Sequence, residues 1–474
     1  MLDYINLKYV PKNTEVLVEY RVEPAKGYNL HYCAEQIAAE SSIGTWTTIS
    51  TMNNKIATRL KPHVYYIDEK TKLIKIAYSP ELFEPGNMPQ ILSSIAGNIF
   101  GMKMLNGLRL EDIDFPLSII KSFKGPRYGI DGIRALLKIK DRPLLGTIVK
   151  PKVGLNEKQH AKVAYEAWAG GLDIVKDDEN LSSMSFNHFK KRIDETIKMK
   201  KLAEKRTGEK KIYMPNVTAE TLEMLRRADY VKKKGNEYVM IDVITAGWSA
   251  LQTLRNNTTL VIHAHRAMHA AITKDHKQGL SMLVLAKIYR LIGVDQIHIG
   301  TAGVGKMDGS KREIIDIENE IEKIELEEND KEFMLEQEWH NIKPVLAVAS
   351  GGLSPLGIPA VYNAMGKNVV MQFGGGCHGH PLGTLRGAIA IRQAMDATLK
   401  GVSLEESAKI HIELREAIKK WGKKKTSKEK KVIRKKTTKK KTRTIKKKST
   451  TKKKVVKKKI VRKNLLKKNT RKNK

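Results

Sequence analysis

Leu144-Leu-Gly-Thr-Ile-Val-Lys150 is a short apolar run, and Ile174-Val-Lys-Asp-Asp178 is a second one that ends among acids. Between them Glu157 to Ala169 contains no proline and closes on Gly170-Gly171, as a helix does. A strand, a crossover of helix length and another strand make one βα unit, which pairs its strands in parallel. The rhythm continues through Tyr213–Val217, Val239–Ile244, Leu260–His265, Gln296–Gly300, Val345–Ala349 and Val369–Phe373, whose starts leave room for a helix each time. One of these crossovers, Arg312–Ile324, sets Ile314, Ile315, Ile317, Ile321 and Ile324 among acids in an amphipathic helical pattern. Eight such units predict a closed (β/α) barrel.

The flanks differ from this core. Residues 1–125 mix short elements: Glu15-Val-Leu-Val-Glu-Tyr-Arg-Val22 alternates, Val64–Ile67 and Leu73–Tyr78 read as a hairpin, and helices are expected near Tyr32–Ser41 and Met88–Phe100. This predicts an α+β domain of ferredoxin-like type, followed by the barrel domain with C-terminal helices over 126–422. Residues 423–474 hold 29 of the chain's 88 basic residues but only one of its 51 acids, Glu429. The formal charge of +37 therefore belongs mostly to a Lys-rich tail, expected to be disordered, and the body has the balance of an ordinary globular enzyme. Two cysteines, Cys33 and Cys377, cannot build a disulfide framework, and no stretch approaches a membrane span or a signal peptide. A cytoplasmic protein is expected.

In a barrel of this kind the C-terminal strand ends converge on one mouth, where function resides. The first strand ends in Lys150-Pro-Lys152, the second in Lys176-Asp177-Asp178-Glu179. Carboxylates at a strand end suit Mg²⁺, although a solvated acidic loop with Lys176 as salt-bridge partner fits the residues equally. The fifth strand brings His263, His265, Arg266 and His269, and the sixth His298. Histidines can transfer protons and an arginine can grip phosphate. A glycine-hinged loop, Gly303-Val-Gly305-Lys306, could close as a lid. Strands seven and eight end in Ser350-Gly351-Gly352 and Gln372-Phe373-Gly374-Gly375-Gly376, where glycines let backbone N–H groups approach phosphate. Together these residues point to a metal-assisted enzyme acting on a phosphorylated carbonyl compound.

Over residues 10–420 the sequence resembles the large subunit of ribulose-1,5-bisphosphate carboxylase/oxygenase. Gly171-Leu-Asp-Ile-Val-Lys176-Asp-Asp178-Glu179-Asn, His265-Arg266-Ala-Met-His269 and Gln372-Phe-Gly-Gly-Gly376 carry the likeness most specifically. The resemblance implies that Lys176 takes up a CO₂ as N6-carboxylysine and joins Asp178 and Glu179 in holding Mg²⁺. It implies that Lys150 and His265 transfer protons, and that Lys306 meets the new carboxylate. Lys152, Arg266, His298, Ser350, Gly351, Gly352, Gln372, Phe373, Gly374 and Gly375 would then contact ribulose 1,5-bisphosphate. Glu40, Thr45, Trp46 and Asn98 would complete a neighbouring subunit's site, so at least a homodimer is implied, with no small subunit expected. CO₂ and O₂ would compete. The lid motif is one residue longer than the plant pattern and Ile43 replaces a usual Thr, so the archaeal form III type is the nearest match, with salvage of AMP-derived nucleotide ribose as its implied setting.

Two further readings remain at this level. One is a related enolase or isomerase of sulfur salvage on the same fold. The other adds binding of nucleic acid or another polyanion through 423–474, where the lack of aromatic residues argues against base stacking.

Overall fold

The computed structural model describes residues 3–45, 47, 49–306 and 309–422. The 423–474 tail, and with it the expectation of disorder, lies outside the described residues.

The N-terminal sheet is built from β1 (Val16–Pro24), β2 (His63–Asp68), β3 (Leu73–Tyr78) and β4 (Leu105–Asp114), in the order β4-β1-β3-β2. Helices Leu30–Glu40 and Met88–Ile95 occupy the two crossovers, which gives the expected ferredoxin-like arrangement. Val16, Val18, Tyr20 and Val22 alternate inward on β1 and are buried, matching the period of two read from the sequence. The second helix stops at Ile95, short of the expected Phe100. At Gly97 the backbone turns so close to Ser93 that a Cβ would lie 2.0 Å from the Ser93 carbonyl oxygen, and a separate 3₁₀ turn follows over Asn98–Gly101.

The eight barrel strands are β5 (Leu144–Ile148), β6 (Ile174–Lys176), β7 (Ile212–Met214), β8 (Tyr238–Asp242), β9 (Val261–His265), β11 (Gln296–His298), β14 (Leu346–Ser350) and β15 (Val369–Phe373). The intervening labels are β10 (Gly279–Leu280), β12 (Glu325–Leu326) and β13 (Gln337–Glu338). All barrel neighbours pair in parallel, in the order β7-β6-β5-β15-β14-β11-β9-β8. The circle closes just beyond β7, where Met240 N donates to Pro215 O at 2.8 Å and Val217 N donates to Met240 O at 3.0 Å.

The strands read as unbroken apolar runs because both faces are covered. One set, including Leu144, Ile174, Ile212, Tyr238, Val261, Leu346 and Val370, forms a core with helix Gly129–Leu137. The alternate set, including Leu145, Val175, Tyr213, Val239, Ile262, Ala347 and Met371, belongs to the larger core shared with the surrounding helices. Five strands end earlier than the sequence suggests: β5 at Ile148, β6 at Lys176, β7 at Met214, β11 at His298, and β8 at Asp242, where a helical turn over Val243–Ala246 begins.

β10 pairs in parallel with β4 and is thus a fifth strand of the N-terminal sheet, contributed from the crossover after β9. Below it, Lys287 Nζ reaches both carboxylate oxygens of Asp112 on β4 at 2.8 Å. Among the described residues no helix is long and apolar enough to cross a membrane.

Candidate active site

The strand ends deliver the expected residues to one mouth. Lys176 closes β6, His265 closes β9, His298 closes β11, Ser350 closes β14 and Phe373 closes β15, with Lys150 two residues past β5.

Lys150 Nζ lies 2.5 Å from Asp178 Oδ2, Lys152 Nζ 3.6 Å from Glu179 Oε1, and Lys176 Nζ 3.5 Å from Glu179 Oε2. Lys176 is fully buried and donates to the Asp177 carbonyl oxygen at 2.8 Å. Burial pushes its ammonium pKa below the ordinary lysine value, against the pull of the nearby carboxylates. A lowered pKa leaves more of its amine neutral and nucleophilic. Asp177 points away from this cluster, as strand alternation requires. His160, Arg192 and Tyr213 surround it behind β6, and the buried Arg192 fork at 3.0 Å is its main ion-pair partner. Asn216 ties down the acidic loop by donating to the carbonyls of Glu179 and Leu181.

On the opposite wall, His265 Nδ1 meets Asp242 Oδ1 at 2.6 Å while its Nε2 faces Glu179 Oε2 at 3.6 Å. A chain of side chains runs from Gln296 through His263 and His298 to Ser350, each step 2.9 Å. With Gln296 Oε1 accepting, His263 Nδ1–H donates to it, His298 Nε2–H donates to His263, and the Ser350 hydroxyl donates to His298 Nδ1. Burial, with the Lys176 charge adding to it, pulls His263 down to about 3; burial also holds His298 well below the usual histidine value. Both rings are neutral at pH 7, so the chain keeps its direction. Arg266 lies beside this wall, its pKa drawn down to about 10 by burial despite Glu313; its carbonyl oxygen accepts from His269 N at 3.1 Å, while its guanidinium has no hydrogen bond or ion pair among the described residues. A guanidinium so placed is a ready anion receptor.

The lid and the two glycine-rich loops pack together. Lys306 N donates to Gly351 O at 2.8 Å, and the Lys306 stem lies over Gly352, where an added Cβ would stand 2.7 Å from Lys306 Cγ. Gly376 presses on the β14 loop: a Cβ there would lie 2.1 Å from Leu353 O. Gly374 and Gly375 leave the end of β15 open toward Lys150, and Gly351 stands at φ +120°. The Gln372 amide is buried with neither polar atom hydrogen-bonded among the described residues.

Glu40 and Asn98 meet each other at 3.4 Å on the N-terminal domain. Among the described residues no hydrogen bond or ion pair joins them or Thr45 to the mouth of their own barrel. Trp46 lies outside the described residues. Cys33 and Cys377 are buried free thiols, and burial raises Cys377 to about 12, which agrees with a packing role.

Sequence reasoning did not single out Asp242, Asn216 or His378. Asp242 carried a signal, a lone acid inside an apolar strand.

The geometry agrees with what the chain is similar to. Residues 3–119 match the model for the ribulose bisphosphate carboxylase large chain N-terminal domain, and 129–421 match that for its catalytic domain. The ribulose bisphosphate carboxylase of Methanocaldococcus jannaschii is 53% identical over 430 residues, which is 89% of this chain and 100% of that one. That of Methanosarcina mazei is 51% identical over 426 residues, covering 89% and 99%. Among solved structures, the dimeric archaeal Rubisco from Hyperthermus butylicus superposes with a TM-score of 0.84 at 46% identity, covering 88% of this chain and 98% of that one. The octameric enzyme from Pyrococcus horikoshii, solved with sulfate, gives 0.82 at 44% identity, covering 89% and 97%. A mouth with these strand-end residues, on a chain that spans such relatives over nearly their whole length, belongs to the ribulose bisphosphate carboxylase large-chain family.

Proposed function

We propose that this chain is a ribulose-1,5-bisphosphate carboxylase, adding CO₂ and water to the substrate and cleaving it to two 3-phosphoglycerates, with O₂ competing for the same intermediate. The observation that carries the reading is the convergence of Lys150, Lys152 and Lys176 on Asp178 and Glu179, opposite a carboxylate-held His265.

The donor set fits Mg²⁺ once Lys176 is modified. The Lys176 ammonium first gives up one proton to solvent; the neutral amine then attacks the carbon of CO₂ and releases a second, so a buried cation becomes an oxygen anion beside two carboxylates, and three hard ligands result. Bound there, Mg²⁺ supplies positive charge next to the substrate's carbonyl oxygen. Lys150, released from Asp178, is placed to move a proton at C3 and later at the cleaved carbon, and His265 acts as a second proton carrier. Lys306, delivered by its lid, neutralises the carboxylate formed when CO₂ adds at C2. Arg266 and His298 hold one phosphate; the backbone of Gly374 and Gly375, with Gly351, Gly352, Ser350 and Lys152, holds the other end, and Gln372 and Phe373 shape the floor.

Residues 1–125 act as an N-terminal domain that completes a partner's site through Glu40, Thr45, Trp46 and Asn98, and residues 126–422 form the catalytic domain. The working form is a homodimer or a larger assembly of dimers in the cytoplasm, without a small subunit. Its setting is salvage of nucleotide ribose. A net charge of +28 beyond the catalytic body favours an additional contact of 423–474 with nucleic acid or another polyanion. Truncation after Gly422 tests that contact: retention on nucleic acid at low salt should be lost while carboxylation persists.

Labelled CO₂ tests the main reading. Label should enter 3-phosphoglycerate with Mg²⁺ and bicarbonate present; intact protein that incorporates none overturns it.

A further inference from the structure

Behind the glycine-rich turn after β15, one half-buried imidazole joins three segments. His378 Nε2 lies 2.9 Å from Thr147 Oγ1, and its Nδ1 lies 3.0 Å from Thr384 Oγ1. Thr147 is on β5, three residues before Lys150. Thr384 opens helix Gly383–Leu399, and His378 ends the short turn Gly375–His378.

The protons in this bridge have one consistent assignment. The Thr147 hydroxyl donates to the Phe373 carbonyl oxygen at 2.5 Å. With that hydrogen committed, Thr147 Oγ1 can only accept from His378, so Nε2 carries the ring proton. Nδ1 is then an acceptor and takes the Thr384 hydroxyl proton. The ring is neutral in this arrangement, and burial holds its pKa down at about 4.

The place of the bridge gives it meaning. The β5–β15 ladder ends at the pair Thr147–Phe373. Beyond it β5 turns to β6, with Val149 N donating to Lys176 O at 3.1 Å, and β15 turns into the glycine loop. The two strands part at the point where Lys150 and Gly374 must stay close: a Cβ on Gly374 would lie 3.4 Å from Lys150 Cε. Side chains continue the connection that the backbone gives up.

We infer that His378 is a positioning residue, which through Thr147 and Thr384 holds the Gly374–Gly376 turn in register with Lys150. This rests on the carboxylase reading for what the turn and the lysine do. A leucine of similar bulk would fill the space, but it would leave the Thr384 hydroxyl without its acceptor and the turn without its tie to β5.

Steady-state kinetics of His378→Leu, His378→Gln and Thr384→Val on the full chain test the inference. His378→Leu and Thr384→Val should each raise KM for ribulose 1,5-bisphosphate about fivefold, with a smaller change in kcat. His378→Gln, whose amide can donate and accept, should recover most of the loss. The double variant His378→Leu/Thr384→Val should be no worse than His378→Leu alone, because one bridge is broken once. Unchanged KM in both single variants, or additive losses accompanied only by a lower Tm, overturns the inference. If the wild-type chain fixes no CO₂, the carboxylase reading fails separately. Calorimetric affinity for inorganic phosphate then still decides, by falling in His378→Leu or, if unchanged, overturning the bridge.

Discussion

His265 Nδ1 sits 2.6 Å from Asp242 Oδ1, so the carboxylate fixes which ring nitrogen carries the proton and leaves Nε2 turned toward Glu179. A histidine held this way presents one defined lone pair to the reaction rather than an average of two tautomers. Replacing Asp242 by Asn keeps the volume but offers an amide donor to Nδ1. We expect Asp242→Asn to lower kcat on the order of 10²-fold with little change in KM, in steady-state assays with ribulose 1,5-bisphosphate. An unaltered kcat would remove Asp242 from the mechanism.

Lys176 should be the residue that captures CO₂. Mass spectrometry after trapping with labelled bicarbonate should find the added mass on the peptide containing Lys176, and Lys176→Ala should lose both the mass and the activity. Only the neutral amine attacks, so the rate of activation should climb with pH; burial brings that rise to lower pH than for an exposed lysine. Label on another lysine would contradict this.

Glu318 gives a pH signature of stability. It lies buried on helix Lys311–Glu322, its Oε1 has no hydrogen-bond partner among the described residues, and burial, then the Glu322 charge, raises its pKa to about 8. The folded pKa lies above the unfolded value. Its contribution is therefore full below about pH 4.5 and fades as pH rises toward about 8. Thermal or urea unfolding of Glu318→Gln should show the variant gaining on wild type by on the order of 2 kcal/mol between about pH 5 and about pH 8. A constant difference across that range would refute the assignment.

Lys287→Met should destabilise the protein by about 3–5 kcal/mol in urea melts, because it strands the buried Asp112 carboxylate on β4. The double replacement Lys287→Met/Asp112→Leu should recover part of the loss.

How far the sequence could be read follows from the same contacts. The barrel was legible because strands covered on both faces must be apolar throughout, and their ends then brought Lys150, Lys176, His265, His298 and Ser350 to one mouth, although the residues alone left Lys176 equally readable as a salt-bridge partner and only the family resemblance gave it a role. What surrounds those residues was not. Asp242 was hidden because Val239–Ile244 read as one strand, whereas the chain turns helical just after the acid. His378 followed a glycine run beside Cys377, and its partner Thr147 is 231 positions away. On the helix after the lid, an amphipathic pattern implied solvated acids, yet Glu318 and Glu320 are buried and Ile324, past the helix end, is 57% exposed. Periodicity reports which side of an element is apolar, but it does not report charges accommodated by a neighbouring element, here Lys287 and Trp339 around Glu320.

The two residues of β10 give the N-terminal sheet a strand that belongs to the barrel's own crossover. A fragment ending near residue 125 would leave β4 as a bare edge along Arg109 and Leu110, with unpaired amides and carbonyls facing water or another copy of itself. The N-terminal domain is thus no detachable module. Expressed alone it would be prone to self-association, and chimaeras that exchange it should carry residues 279–280 with it.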